Sequence, residues 1–131
     1  MVNEPMNKQA EKILITGCLL AGLAVAIGAF GAHGLKAILL ENGRTDVFET
    51  AVKYHFYHAF AIIIVGLLAE RQWKKWYRWS FVCFLIGVLF FSGTLYVLAI
   101  TNQAILGAVA PIGGTSLMVG WILLATGIRK A

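Results

Sequence analysis

The chain has 131 residues, 60% of them hydrophobic and only 13% charged, a balance that excludes an ordinary soluble globular domain and leaves room for one domain. Its net charge of +5 does not point to nucleic acid, because the basic residues sit at the ends of apolar segments and form no basic stripe with interleaved aromatics. No Asp, Glu, Lys or Arg occurs between Arg78 and Arg129. A hydrocarbon core of about 30 Å takes about 20 apolar residues per helix, so that stretch holds two membrane crossings.

The first apolar run predicts a helix over 13–33. Its polar start, with Lys8, Glu11 and Lys12, is that of a signal peptide, but the apolar stretch continues well past the small residues Ala24, Val25 and Ala26, which favours an uncleaved helix. Ile15-Thr16-Gly17-Cys18 has the form of a lipoprotein processing box. The only apolar residues between Lys12 and Cys18 are Ile13, Leu14 and Ile15, too few to present the cysteine for lipidation. Cys18 and Cys83 both lie in apolar runs, where a free thiol behaves as a small hydrophobe and no disulfide is implied.

Leu35 to Leu40 leads into the turn Glu41-Asn42-Gly43 and reads as a short interfacial helix. A second crossing is predicted over 46–69, with Thr45 as N-cap, Asp46 and Glu49 facing the positive helix terminus, and Glu49 paired with Lys53 one turn on. The third and fourth helices are expected over 79–100 and 104–128, joined by the polar turn Thr101-Asn102-Gln103, with a kink near Pro111. The fold expected is all-α: an integral membrane four-helix bundle forming a single transmembrane domain over 1–131. Eight Lys and Arg (Lys8, Lys12, Arg71, Lys74, Lys75, Arg78, Arg129, Lys130) fall on one side, against three (Lys36, Arg44, Lys53) on the other. Both termini are therefore expected in the cytoplasm. Trp73, Trp76, Tyr77 and Trp79, interleaved with Arg71, Lys74, Lys75 and Arg78, read as an aromatic belt over anionic headgroups.

Small residues recur at four-residue spacing: Gly17 and Ala21; Ala24, Gly28 and Ala32; Ala110 and Gly114, beside Pro111 and Gly113. In lipid such faces let helices approach closely, here within one bundle before any dimer. Gly28, Gly31 and Gly34 are not a nucleotide loop, since no strand precedes them and no phosphate-binding Lys follows. The three histidines, His33, His55 and His58, are placed near the outer face, with His55 and His58 on the helix face of Ala51, Ile62 and Val65. Ser92, Thr94, Tyr96, Thr115 and Ser116 are the hydroxyls able to converge on them. Ionisable groups inside membrane helices are costly and raise a functional question by default; the plain alternative is that each imidazole hydrogen-bonds a neighbour and fixes helix register. Three histidines with Asp46 or Glu49 have the ligand types of a metal site without diagnostic spacing. Ser92 followed by Gly93 lacks an acidic orienter for a base. No metal, cofactor or catalytic residue is expected.

The strings Gly28-Ala29-Phe30-Gly31-Ala32-His33-Gly34-Leu35, Phe48-Glu49-Thr50-Ala51-Val52-Lys53-Tyr54-His55-Phe56-Tyr57-His58-Ala59, Ser92-Gly93-Thr94-Leu95-Tyr96 and Pro111-Ile112-Gly113-Gly114 resemble the YgdD/YwdK-like family, domain of unknown function 423. The resemblance spans nearly the whole chain and implies a small four-helix protein of the bacterial inner membrane. It implies no reaction, and draws attention to His33, Tyr54, His55, His58, Ser92, Tyr96 and Pro111. The expected function is a non-enzymatic component that supports envelope integrity by binding membrane lipids, a second copy or another membrane protein. The rivals are a small oligomeric transporter or channel using the histidine and hydroxyl cluster, and a metal-dependent membrane enzyme.

Overall fold

The computed structural model describes residues 3–130. Its elements are α1 (Lys8–His33), α2 (Lys36–Asn42), α3 (Thr45–Arg71), α4 (Lys75–Val88), a π-helical turn (Leu89–Gly93), α5 (Thr94–Thr101), a 3-10 turn (Ala104–Ala108) and α6 (Ala110–Arg129). Four stretches are long and apolar enough to cross a membrane: Lys8–His33, Thr45–Arg71, Lys75–Thr101 and Ala104–Arg129.

The boundaries follow local chemistry. Helix α1 starts at Lys8, ahead of the expected 13, because the Asn7 side chain accepts from the Gln9 amide at 2.8 Å and the Ala10 amide at 3.4 Å. The Asn7 amide itself donates to Glu70 at 2.9 Å, which ties the start of α1 to the end of α3. Gly43 closes α2 in the left-handed conformation at φ 64°, its amide donating to Leu39 and Leu40, and the Arg44 amide also returns to Leu39. That closure runs straight into α3. Thr45 is already helical and Arg44 is the residue before it, with no side-chain cap. The Thr45 cap expected from sequence is thus not formed. At the same end, Asn42 donates to the Ala99 and Ile100 carbonyls at 3.0 Å each, and Arg44 to Asn102 at 2.9 Å. Asn102 makes the expected turn with φ 56°.

The two later crossings are less regular than expected. The third bulges into a π-helical turn at Leu89–Gly93, and the fourth opens with the 3-10 turn before its α-helix begins. Pro111 sits in the first turn of α6, where its missing amide hydrogen costs nothing. The break therefore precedes Pro111 and is not a mid-helix kink.

Helix α1 packs on α3, α3 on α4 and α5, and α4 on α6. Helix α3, the least apolar of the four crossings, is also the most buried. Its inner face carries Ala51, His55, His58, Ala59, Ile62, Val65 and Gly66. Small residues set the approach. A Cβ on Gly66 would meet Leu14, and one on Gly17 would lie 2.7 Å from Ile63 and 3.2 Å from the Ala59 carbonyl. Between α4 and α6, Cβ atoms at Gly120 and Gly127 would lie 2.7 Å from the rings of Phe84 and Tyr77, and Gly113 packs directly on the backbone of Phe90 and Phe91. Of the residues expected to pack, Gly17, Ala24 and Gly113 are buried, Ala21, Gly28 and Gly114 half-buried, and Ala32 and Pro111 exposed.

Gly113→Ala should lower stability by about 1–3 kcal/mol, the usual cost of overpacking, because backbone atoms cannot rotate aside. Gly22→Ala, where a Cβ meets nothing within 4 Å, should be neutral or stabilising. Unfolding in detergent micelles followed by circular dichroism checks both.

Candidate functional site

The polar residues singled out in the sequence do not all converge on one site. His33 ends α1 and is exposed. It lies about 9 Å along the helix beyond Ile27, at ~1.5 Å rise per residue. His55 and His58 are 2% and 4% exposed, one turn apart on the inner face of α3, and His58 is the middle residue of that helix, deeper than an outer-face location. Thr115 is exposed and bonds back to the Pro111 carbonyl at 2.9 Å, outside the cluster. Thr94 is half-buried just past the π-helical turn.

His58 is fully engaged. Its Nδ1 lies 2.7 Å from the Tyr54 carbonyl oxygen, and the Trp121 indole donates to its Nε2 at 3.0 Å. A carbonyl only accepts and an indole only donates, so the ring is a neutral imidazole with its proton on Nδ1. Aromatic neighbours complete the enclosure: Phe84 at 5.5 Å and Trp121 at 5.9 Å between ring centres, with Tyr54 stacked at 6.1 Å. Tyr54 in turn packs on Phe91 at 4.9 Å. The residue joins α3 to α6 across α4, a structural role that consumes both nitrogens.

His55 is half engaged. Its Nδ1 lies 2.9 Å from the Tyr96 hydroxyl, whose ring also packs on Phe48 at 5.3 Å. Its Nε2 has no hydrogen-bond partner, the one buried side-chain nitrogen or oxygen so placed among the described residues. Ser92, in the π-helical turn, does not reach a histidine; it donates to the Ala51 carbonyl on α3 at 2.8 Å. Ser80 and Ser116 make the equivalent bonds between α4 and α6, to Gly120 and Cys83, both at 2.8 Å. Sequence reasoning passed over Trp121 and Ser80, although an indole and a hydroxyl inside apolar helices signal the need for a partner. Among the described residues no three His, Cys, Asp or Glu side chains are placed to hold a metal ion.

At the basic end, Lys74 turns inward and donates to the Gly127 carbonyl at 2.8 Å and to the Lys130 carbonyl, capping the C-terminus of α6. Lys75 and Lys130 lie over the Trp76 ring at 5.2 and 5.5 Å, and Arg78 over Trp79 at 5.8 Å. Trp73, Trp79, Arg71, Lys75 and Arg78 are exposed.

Four membrane-length apolar helices among the described residues define a polytopic membrane protein. The chain belongs to the family described as "Protein of unknown function (DUF423)", whose model matches residues 27–114. It is 40% identical over 116 residues to a UPF0382 membrane protein of Staphylococcus haemolyticus, covering 85% of this chain and 89% of the relative. It is 36% identical to the UPF0382 membrane protein YwdK of Bacillus subtilis (89% and 95% covered) and 33% identical to the UPF0382 inner membrane protein YgdD of Escherichia coli (88% and 87% covered). No solved structure matches.

Trp121→Phe keeps an aromatic side chain and removes the donor to His58 Nε2, so it should cost about 1 kcal/mol, the typical worth of one such bond. Thr115→Val, on an exposed face, should change stability by less than about 0.5 kcal/mol. Denaturant titration in micelles compares the two.

Proposed function

We propose that this protein is a non-enzymatic membrane component that binds lipid between its helices and supports envelope integrity by its presence. One observation carries the reading: a groove of 390 Å³ where α1, α2 and α3 meet. Its walls are Gly28, Gly31, Ala32, Leu39, Leu40, Phe48 and Val52, with Lys36 and Lys53 beside Thr45 and Glu49. Two ammonium groups next to an apolar trough suit an anionic phospholipid, its phosphate between the lysines and an acyl chain on Phe48 and Val52. The trough exists because Gly31 lets the Phe48 ring lie against α1.

Transport through the bundle draws less support from this geometry, since His58, Ser80, Ser92 and Ser116 spend their polar atoms on neighbouring helices. The starts of α1 and α4 and the ends of α3 and α6 share one end of the bundle, joined by Asn7 to Glu70 and Lys74 to Gly127. On the positive-inside rule that end, carrying eight of the 11 basic residues, faces the cytoplasm and the lysine groove faces out. A fluorescent protein fused after the C-terminus should then fluoresce, and alkaline phosphatase fused there should stay inactive.

Lipid extracts of protein purified in mild detergent should retain phosphatidylglycerol over phosphatidylethanolamine. The double variant Lys36→Gln, Lys53→Gln should lose that preference while folding normally. A cell lacking the gene should show raised membrane permeability, restored by the wild-type chain and not by the double variant. Equal lipid retention by both chains, or unchanged permeability, would contradict the reading.

A further inference from the structure

A second cleft lies between α1 and the third crossing, both of which pack on α3. It measures 280 Å³ and is walled by Leu20, Leu23 and Ile27 of α1 and by Leu85, Val88 and Leu89, with His55, Gly93 and Tyr96 completing its lining. Leu23 and Leu89 are 50% and 65% exposed, so the cleft opens sideways onto the lipid. His55 is the residue whose Nε2 is buried without a partner.

A polar nitrogen left unpaired in hydrocarbon is costly, and His58, Ser80, Ser92 and Ser116 all avoid that cost. Three partners are conceivable. The Leu20 carbonyl lies near the ring but outside hydrogen-bond geometry. A trapped water needs about 2–4 polar partners, and with the Tyr96 hydroxyl engaged at Nδ1 the remaining lining side chains offer none besides His55 itself. An apolar molecule with one polar atom needs only the one partner that is present.

Counting protons identifies the polar atom. With the proton on Nε2, the Tyr96 hydroxyl donates to Nδ1 and only the Nε2–H is left over. With the proton on Nδ1, both Nε2 and the Tyr96 hydroxyl hydrogen are left over. The first arrangement leaves one unmet group, a donor, so the missing partner is an acceptor.

Depth narrows the class. His55 stands three residues from His58, the middle of α3, about 4–5 Å along the axis at ~1.5 Å per residue. Ester carbonyls of phospholipids lie near the edge of a hydrocarbon core about 30 Å thick, too far out to meet it. We propose that this cleft binds a membrane-soluble carbonyl compound of the quinone type, its ring between the leucines and its oxygen accepting from His55 Nε2. Nε2 itself is covered, so binding requires a wall side chain to turn aside, and the half-exposed Leu23 is the one taken to do so. The site is separate from the lysine groove, sharing no residue with it.

The test uses the full chain in nanodiscs and a benzoquinone bearing a short alkyl tail, with binding read by equilibrium dialysis. Saturable binding is expected, weakened at least about tenfold in His55→Leu, the scale of one lost hydrogen bond. Leu23→Trp, which fills the mouth and leaves His55 in place, should weaken it comparably. The Lys36→Gln, Lys53→Gln chain should bind the quinone as well as wild type, which keeps this site distinct from the lipid reading. The same alkyl tail on benzene, without a carbonyl, should not compete. Absence of saturable binding, or equal binding by wild type, His55→Leu and Leu23→Trp, overturns the proposal and makes His55 a register-fixing residue.

Discussion

Inside a bilayer an imidazole, indole or hydroxyl has no water to turn to, so each must find its partner within the protein. This requirement organises the bundle. Ser80, Ser92 and Ser116 each donate across a helix interface to a main-chain carbonyl, and His58 is held between a carbonyl of its own helix and the Trp121 indole of α6. Such bonds reach a neighbouring backbone only where the helices approach closely. The glycines at 17, 66, 87, 113, 120 and 127 give that approach, each occupying space in which a Cβ would collide. Polar bonding and small-residue packing are thus two aspects of one interface, since a larger side chain at Gly120 would push Ser80 away from its acceptor.

The π-helical turn at Leu89–Gly93 has the same logic. Inserting a wide turn there places Ser92 against the Ala51 carbonyl and exposes the Phe90–Phe91 backbone to Gly113. It also carries Gly93 and Tyr96 to the cleft floored by His55. Such turns often occur at functional sites, and here the one unmet nitrogen of the interior lies beside it.

Much of the architecture was legible in the sequence because membrane insertion leaves a coarse record: charge-free runs, basic ends and polar turns at 41–43 and 101–103. The finer features left less trace. Helix α3 carries more charge than a simple crossing should, which made its limits the least plain, yet it is the most buried crossing because it packs on α1, α4 and α5. The pairing of His55 with His58 on one inner face followed from their three-residue spacing. What could not follow was the difference between them, which depends on Trp121 and Tyr96 arriving from other helices. Lys74 reads as a headgroup ligand in the sequence, whereas in the fold it caps α6, a use that only the meeting of α4 with the chain terminus creates.

The account turns on that difference: one histidine closed by the fold, the other left with a free donor. Nitrogen-15 magic-angle-spinning spectra of histidine-labelled protein in bilayers, assigned with His55→Leu and His58→Phe chains, test it most directly. The prediction is opposite tautomers at neutral pH, with His58 protonated on Nδ1 and His55 on Nε2. The same tautomer at both positions, or the reverse assignment, would contradict it.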